Sequence, residues 1–175
     1  LHLCDRRQRQ MCIETAFEIH DKPENTKSFA LILEDKDAFP VTKGFSWIHW
    51  TAANIQRTEL KENESQTAED FIQGVNSWMS VQGGNQSAEE SSFYGGMDPP
   101  NGMHTYELHV FALDTLLDIK PGFMLNELWW KMEGHVLANY TLKGSTQTDE
   151  NWYLSMLAIF SAFYLARWSK SPLNI

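Results

Sequence analysis

Polar and apolar residues alternate most regularly over residues 103–113. His104, Tyr106, Leu108, Val110 and Ala112 share one face, and Thr105, Glu107, His109 and Phe111 share the other. A period of two predicts a half-buried β-strand. Residues 28–34, Ser-Phe-Ala-Leu-Ile-Leu-Glu, form a nearly unbroken apolar run, the pattern of a central strand covered on both faces. The charges and proline of residues 35–40, Asp-Lys-Asp-Ala-Phe-Pro, end it. Residues 47–55 read as the next strand, with His49, Thr51 and Ala53 on one face and Trp50 and Ala52 on the other. Weaker strand signals lie at 13–19 and 136–142, with a turn at 22–25.

Helical spacing is clear once, in Leu125, Leu128, Trp129 and Met132, after a turn at 118–122 and with Gly134 placed to stop the helix. Thr67-Ala68-Glu69-Asp70 has the form of a capping box, so a turn or two of helix is expected at Phe71-Ile72. Residues 82–92 are polar, contain Gly83-Gly84, and read as an exposed, mobile loop. Residues 152–168 differ in kind: they are apolar all round, with Asp149 able to cap the start and Arg167 and Lys170 suited to the end. As a helix this stretch would span about 25 Å, short of the ~30 Å hydrocarbon core of a bilayer. Its flanking tryptophans imitate a membrane anchor, but the length favours docking on the domain or packing in a homodimer interface. The pattern divides the chain into a ragged segment 1–12, a domain 13–144 and an extension 145–175 carrying an apolar helix.

A length of 175 residues suits one domain, and 42% hydrophobic with 21% charged residues is ordinary globular composition. A net charge of −9 repels a phosphate backbone and argues against nucleic-acid binding. It does not exclude one phosphate in a local pocket. Cys4 and Cys12 lack metal-knuckle spacing and suggest no disulfide framework. The first residues carry no apolar signal region, so the sequons at Asn63, Asn85 and Asn139 carry little weight and a reducing cytoplasm is expected.

Four segments hold the candidate chemistry: Asp35-Lys36-Asp37, Ile48-His49-Trp50, residues 94–100 (Tyr-Gly-Gly-Met-Asp-Pro-Pro) and His104-Thr105-Tyr106. His49 and His104 can donate to an anion, and Tyr106, on the same strand face as His104, adds a hydroxyl. Gly95-Gly96 allows close approach of backbone N–H groups, Pro99-Pro100 stiffens the adjoining segment, and Asp35 or Asp37 can orient a histidine. Singly, each has a plainer reading: a satisfied strand histidine, a solvated strand end, ordinary turn chemistry. Asp35, Asp37, His49 and His104 lack diagnostic metal-ligand spacing, so no metal is expected, and no cofactor motif occurs. Glu133-Gly134-His135 could form an acid–base pair, though a helix-end position fits capping equally well.

In this order the four segments resemble the phosphatidylethanolamine-binding (Raf kinase inhibitor-like) family, in its compact bacterial branch. Further similarity lies in Asn54, in residues 111–114 and in residues 132–137, and the resemblance runs from about Lys27 to Gly144. It implies a mainly β fold with peripheral helices, an antiparallel β-sandwich. It also implies a small pocket for phosphate-like head groups lined by Asp35, Asp37, His49, Gly95, Pro99, Pro100, His104 and Tyr106. Lys36 and Phe39 stand where the family has prolines, Met97-Asp98 where it has proline-cysteine, and Thr105 where it has arginine. The resulting expectation is non-enzymatic, proton-linked binding of a small anionic or phosphorylated ligand, weakening as pH rises past the imidazole pKa. A protein partner, as for a kinase or protease inhibitor, and a hydrolase using an aspartate–histidine pair are the alternatives.

Overall fold

The computed structural model describes residues 17–61, 64–100 and 102–146. Its main sheet has five antiparallel strands in the order β5-β3-β2-β6-β7: β2 Ser28–Asp35, β3 Trp47–Ile55, β5 Ile72–Gly74, β6 His104–Leu113 and β7 Val136–Thr146. The unbroken apolar run is the middle strand, as its two-faced burial requires. A second sheet pairs β1, Phe17–Glu18, with β4, Glu59–Leu60. Helices are peripheral: α1 Phe39–Thr42, α2 Ala88–Ser91 and α3 Leu125–Met132. The expected strand at 13–19 is seen in its second half, residues 13–16 lying outside the described part. The apolar stretch 152–168 also lies outside it. Among the described residues no helix is long and apolar enough to cross a membrane.

The main sheet buries both faces. Phe29, Leu31, Leu33, Trp50, Leu108 and Val110 pack with Phe17 and Leu60 of the small sheet and with Phe71 and Tyr94. On the other face Ala30, Ile32, Phe111 and Leu113 pack against Leu128 and Met132 of α3, and against Leu117, Ile119 and Phe123. The α3 spacing thus does what amphipathic periodicity requires, placing its apolar stripe on the sheet.

Three expectations need correction. Residues 72–74 form strand β5 and not a helix. Trp50 Nε1 donates to Gln73 Oε1 at 2.7 Å and Gln73 Nε2 to the Ser65 carbonyl at 2.8 Å, while the Asp70 carboxylate is taken by Arg57. Tertiary pairing therefore overrides a local cap pattern. A complete capping box occurs instead at Ser87 and Glu90, inside the stretch read as loop. The third correction concerns β3. Leu33 pairs with Trp50 but Glu34 with Ile48, so His49 is the extra residue of a β-bulge. The bulge reverses its facing: His49 joins Trp50 and parts from Thr51 and Ala53.

Candidate functional site

That bulge turns the His49 ring toward Tyr106, with ring centres 5.2 Å apart. Both border a cavity of about 610 Å3 at one end of the main sheet. The volume falls within the range of ordinary small-molecule sites and exceeds the head-group-sized pocket expected from sequence. Asp35, His49, Gly95, Pro100 and Tyr106 border this cavity; Asp37, Pro99 and His104 do not.

Asp35 ends β2 directly opposite Tyr106 on β6. One of its carboxylate oxygens accepts from the Asp37 and Ala38 backbone N–H groups at 2.9 and 3.2 Å. The other lies 2.6 Å from His104 Nδ1, with both side chains almost wholly buried. Asp35 therefore orients His104 and holds it behind the cavity wall. Asp37 plays a different part, for its Oδ2 accepts the Thr105 N–H at 2.8 Å and pins the start of β6.

His49 and Gly95 hold one another. The Gly95 N–H donates to the His49 carbonyl at 2.8 Å, and the His49 Nδ1–H donates to the Gly95 carbonyl at 2.9 Å. The Gly95 N–H is thus committed within the protein. Its lack of a side chain serves packing, since a Cβ there would lie 2.2 Å from the Trp78 ring. Burial, the dominant cause, lowers the His49 pKa to about 4, against a smaller opposing effect of the Gly95 carbonyl and the Asp35 charge. At neutral pH His49 is an uncharged imidazole, which corrects the expectation of a cationic donor titrating near 6.5. Burial likewise raises the Tyr106 pKa, with the Asp35 charge adding to it, so the phenol keeps its proton. Only 3% of Tyr106 is exposed, and its hydroxyl has no hydrogen-bond partner among the described residues.

Sequence reasoning missed the aromatic wall. Trp47 and Trp78 meet edge to face with centres 5.1 Å apart, and Trp78 also meets the His49 ring at 5.4 Å. A short 3-10 turn, Ser77–Met79, positions Trp78; Asn76 caps it by accepting the Trp78 N–H at 3.0 Å and donating to the Phe93 carbonyl at 2.8 Å. The asparagine shortly after a strand end was the available cue, and it is a weak one. Asp98 and Glu90 also border the cavity, and among the described residues no lysine or arginine does. Such a site can offer hydrogen bonds to an anionic group but no full positive charge, while its acidic and aromatic rim suits a cation. Elsewhere, His135 pairs with Asp114 at 2.9 Å and not with Glu133, which caps α3.

A family model described as phosphatidylethanolamine-binding protein matches residues 7–147. The chain is 45% identical over 133 residues to the uncharacterized protein YxkA of Bacillus subtilis, covering 73% of this chain and 79% of that one. It is 39% identical over 124 residues to a UPF0098 protein of Methanothermobacter thermautotrophicus, covering 70% and 74%. Among solved structures, the phosphatidylethanolamine-binding protein homologue CT736 of Chlamydia trachomatis superposes with a TM-score of 0.66 at 28% identity, covering 78% of this chain and 82% of that one. Escherichia coli YbcL shares the fold, with a TM-score of 0.62 at 22% identity over 79% and 82%.

Proposed function

The chain belongs to the phosphatidylethanolamine-binding protein family, and from that membership and the pocket geometry we propose that it is a non-enzymatic binding module for a small phosphorylated ligand of head-group type. The observation that carries this reading is the Tyr106 hydroxyl: buried, protonated and unpartnered among the described residues, at the edge of a cavity large enough for a ligand. A buried hydroxyl without a partner is costly, and a ligand oxygen accepting its proton removes that cost. With no bordering lysine or arginine among the described residues, the phosphoryl group is held by hydrogen bonds and not by ion pairing. A zwitterion such as phosphoethanolamine therefore suits the site better than a dianion, its ammonium directed to the Asp98 and Glu90 side.

Titration of inorganic phosphate and phosphoethanolamine, followed by histidine NMR shifts, tests this. The expected result is tighter binding of phosphoethanolamine, weakened roughly tenfold or more in Tyr106→Phe through loss of one hydrogen bond to a charged group. His104→Ala should weaken it as well, because Asp35 loses its partner. Equal, weak binding in all three proteins, with unmoved histidine signals, would rule the reading out.

A regulatory role toward a protein partner is a second reading, favoured by exposed apolar side chains near the cavity. Phe39 and Phe45 flank the bordering Val41, and Val81 lies two residues before the bordering Gly83. Loss of a captured partner in Val81→Ser and Phe39→Ser, with phosphoethanolamine binding intact, would support it.

A further inference from the structure

On the sheet face opposite the pocket, Glu34 on β2 stands directly across from Glu107 on β6, and His109 follows Glu107 on the same face. Like charges directly opposite on paired strands repel, so a cation is required between them. Their side chains are mostly shielded, at 16%, 10% and 18% exposure for Glu34, Glu107 and His109. Lys36 answers the charge, with Nζ 2.6 Å from Glu107 Oε2 and 3.4 Å from Glu34 Oε1. Lys143 reaches Glu107 Oε1 at 2.7 Å from β7. Both lysine side chains are more than half exposed.

We propose that Glu34, Glu107 and His109 bind a divalent transition-metal ion of the zinc type, with the two lysine heads moving to solvent as it enters. His109 Nε2 lies 2.9 Å from Glu34 Oε1 and 3.6 Å from Glu107 Oε2. All three donor atoms fall within 4.8 Å of one another. Donors bonded at ~2.0 Å to a tetrahedral ion lie roughly 3.3 Å apart, so small side-chain adjustments suffice. An imidazole and two carboxylates are a zinc-type donor set that leaves a fourth position for water. His109 Nδ1 lies 2.8 Å from Thr141 Oγ1 on the neighbouring strand. Because a carboxylate only accepts, His109 Nε2–H donates to Glu34 Oε1 here. An incoming ion takes that proton's place, and a ring proton on Nδ1 is then accepted by Thr141 Oγ1, the kind of orienting contact that metal-bound histidines use. Two lysines balance two carboxylates; the imidazole adds the nitrogen donor that a zinc-type ion prefers. The proposal is independent of the pocket, which lies across the sheet.

Titration of Co(II) into the full chain, read by visible absorption, and of Zn(II), read by calorimetry, tests it. Expected are one ion per chain, tetrahedral Co(II) bands, at least tenfold weaker binding in His109→Ala, and a smaller loss in Thr141→Val. Lys143→Met should bind more tightly than the parent, because a competing charge is gone; a purely structural ion-pair network would give no such gain. Absence of Co(II) bands at millimolar metal in both parent and Lys143→Met, or binding unchanged by His109→Ala, would overturn the proposal.

Discussion

His49 shows how burial sets chemistry one side chain at a time. Its imidazole is neutral in the fold, with a pKa of about 4, whereas in the unfolded chain it titrates near the usual ~6.5. The unfolded state therefore takes up a proton first as pH falls, so this contribution to stability is present above about 6.5 and lost on descending to about 4. The size is on the order of 3 kcal/mol for a shift of this extent. Denaturant unfolding between pH 7 and pH 4 should show that loss, and His49→Gln should flatten it; an unchanged slope in the variant would place the pH dependence elsewhere. Tyr106 and His104 lie on the strand face that their alternation predicts. Alternation alone puts His49 on the wrong face, because a bulge is an event in the pairing of two strands, not in the composition of one.

Two contacts show why particular elements sit where they do. Asn54 occupies a positive φ of 60° in a second irregularity of β3. Its amide donates to the Leu117 carbonyl at 2.9 Å and accepts the Leu117 N–H at 2.7 Å, tying the 114–124 loop to the sheet. Asn54→Gly keeps the backbone conformation and loses the bonds, whereas Asn54→Ala loses both. Chemical denaturation is expected to show about 1–3 kcal/mol lost in the glycine variant and more in the alanine variant; the reverse order would contradict this account. At Gly95, alanine would bring a Cβ into the Trp78 ring. A cost of about 1–3 kcal/mol is expected, with altered tryptophan fluorescence as the ring moves; an unperturbed, equally stable variant would show that the contact is not tight. Strand β6 and α3 were legible because their periods repeat over eight or more residues, and β2 because its apolar run is nearly unbroken. Strand β7, Val136–Thr146, gave a weaker signal that stopped at residue 142. Strand β5 was not legible: three residues, Ile72–Gly74, carry no period, and their identity comes from pairing with β3.

At the scale of the molecule, one central strand separates two faces with different duties. One carries the small sheet and the cavity; the other carries α3 and the Glu34–Glu107–His109 cluster. The chain's acidity, −9 overall, extends to the cavity, where Asp35, Glu90 and Asp98 meet no bordering lysine or arginine among the described residues. That combination could not be anticipated from four motifs, because Glu90 and Trp78 lie in segments without a legible period. It moves the expected ligand from a simple anion toward one that brings its own positive charge. The most direct test is a crystal structure of the protein soaked with phosphoethanolamine. A phosphoryl oxygen within about 2.5–3.0 Å of the Tyr106 hydroxyl, with the ammonium on the Asp98 side, is the expected result. A Tyr106 hydroxyl bonded to another protein group, with the ligand absent or bound outside the cavity, would contradict it.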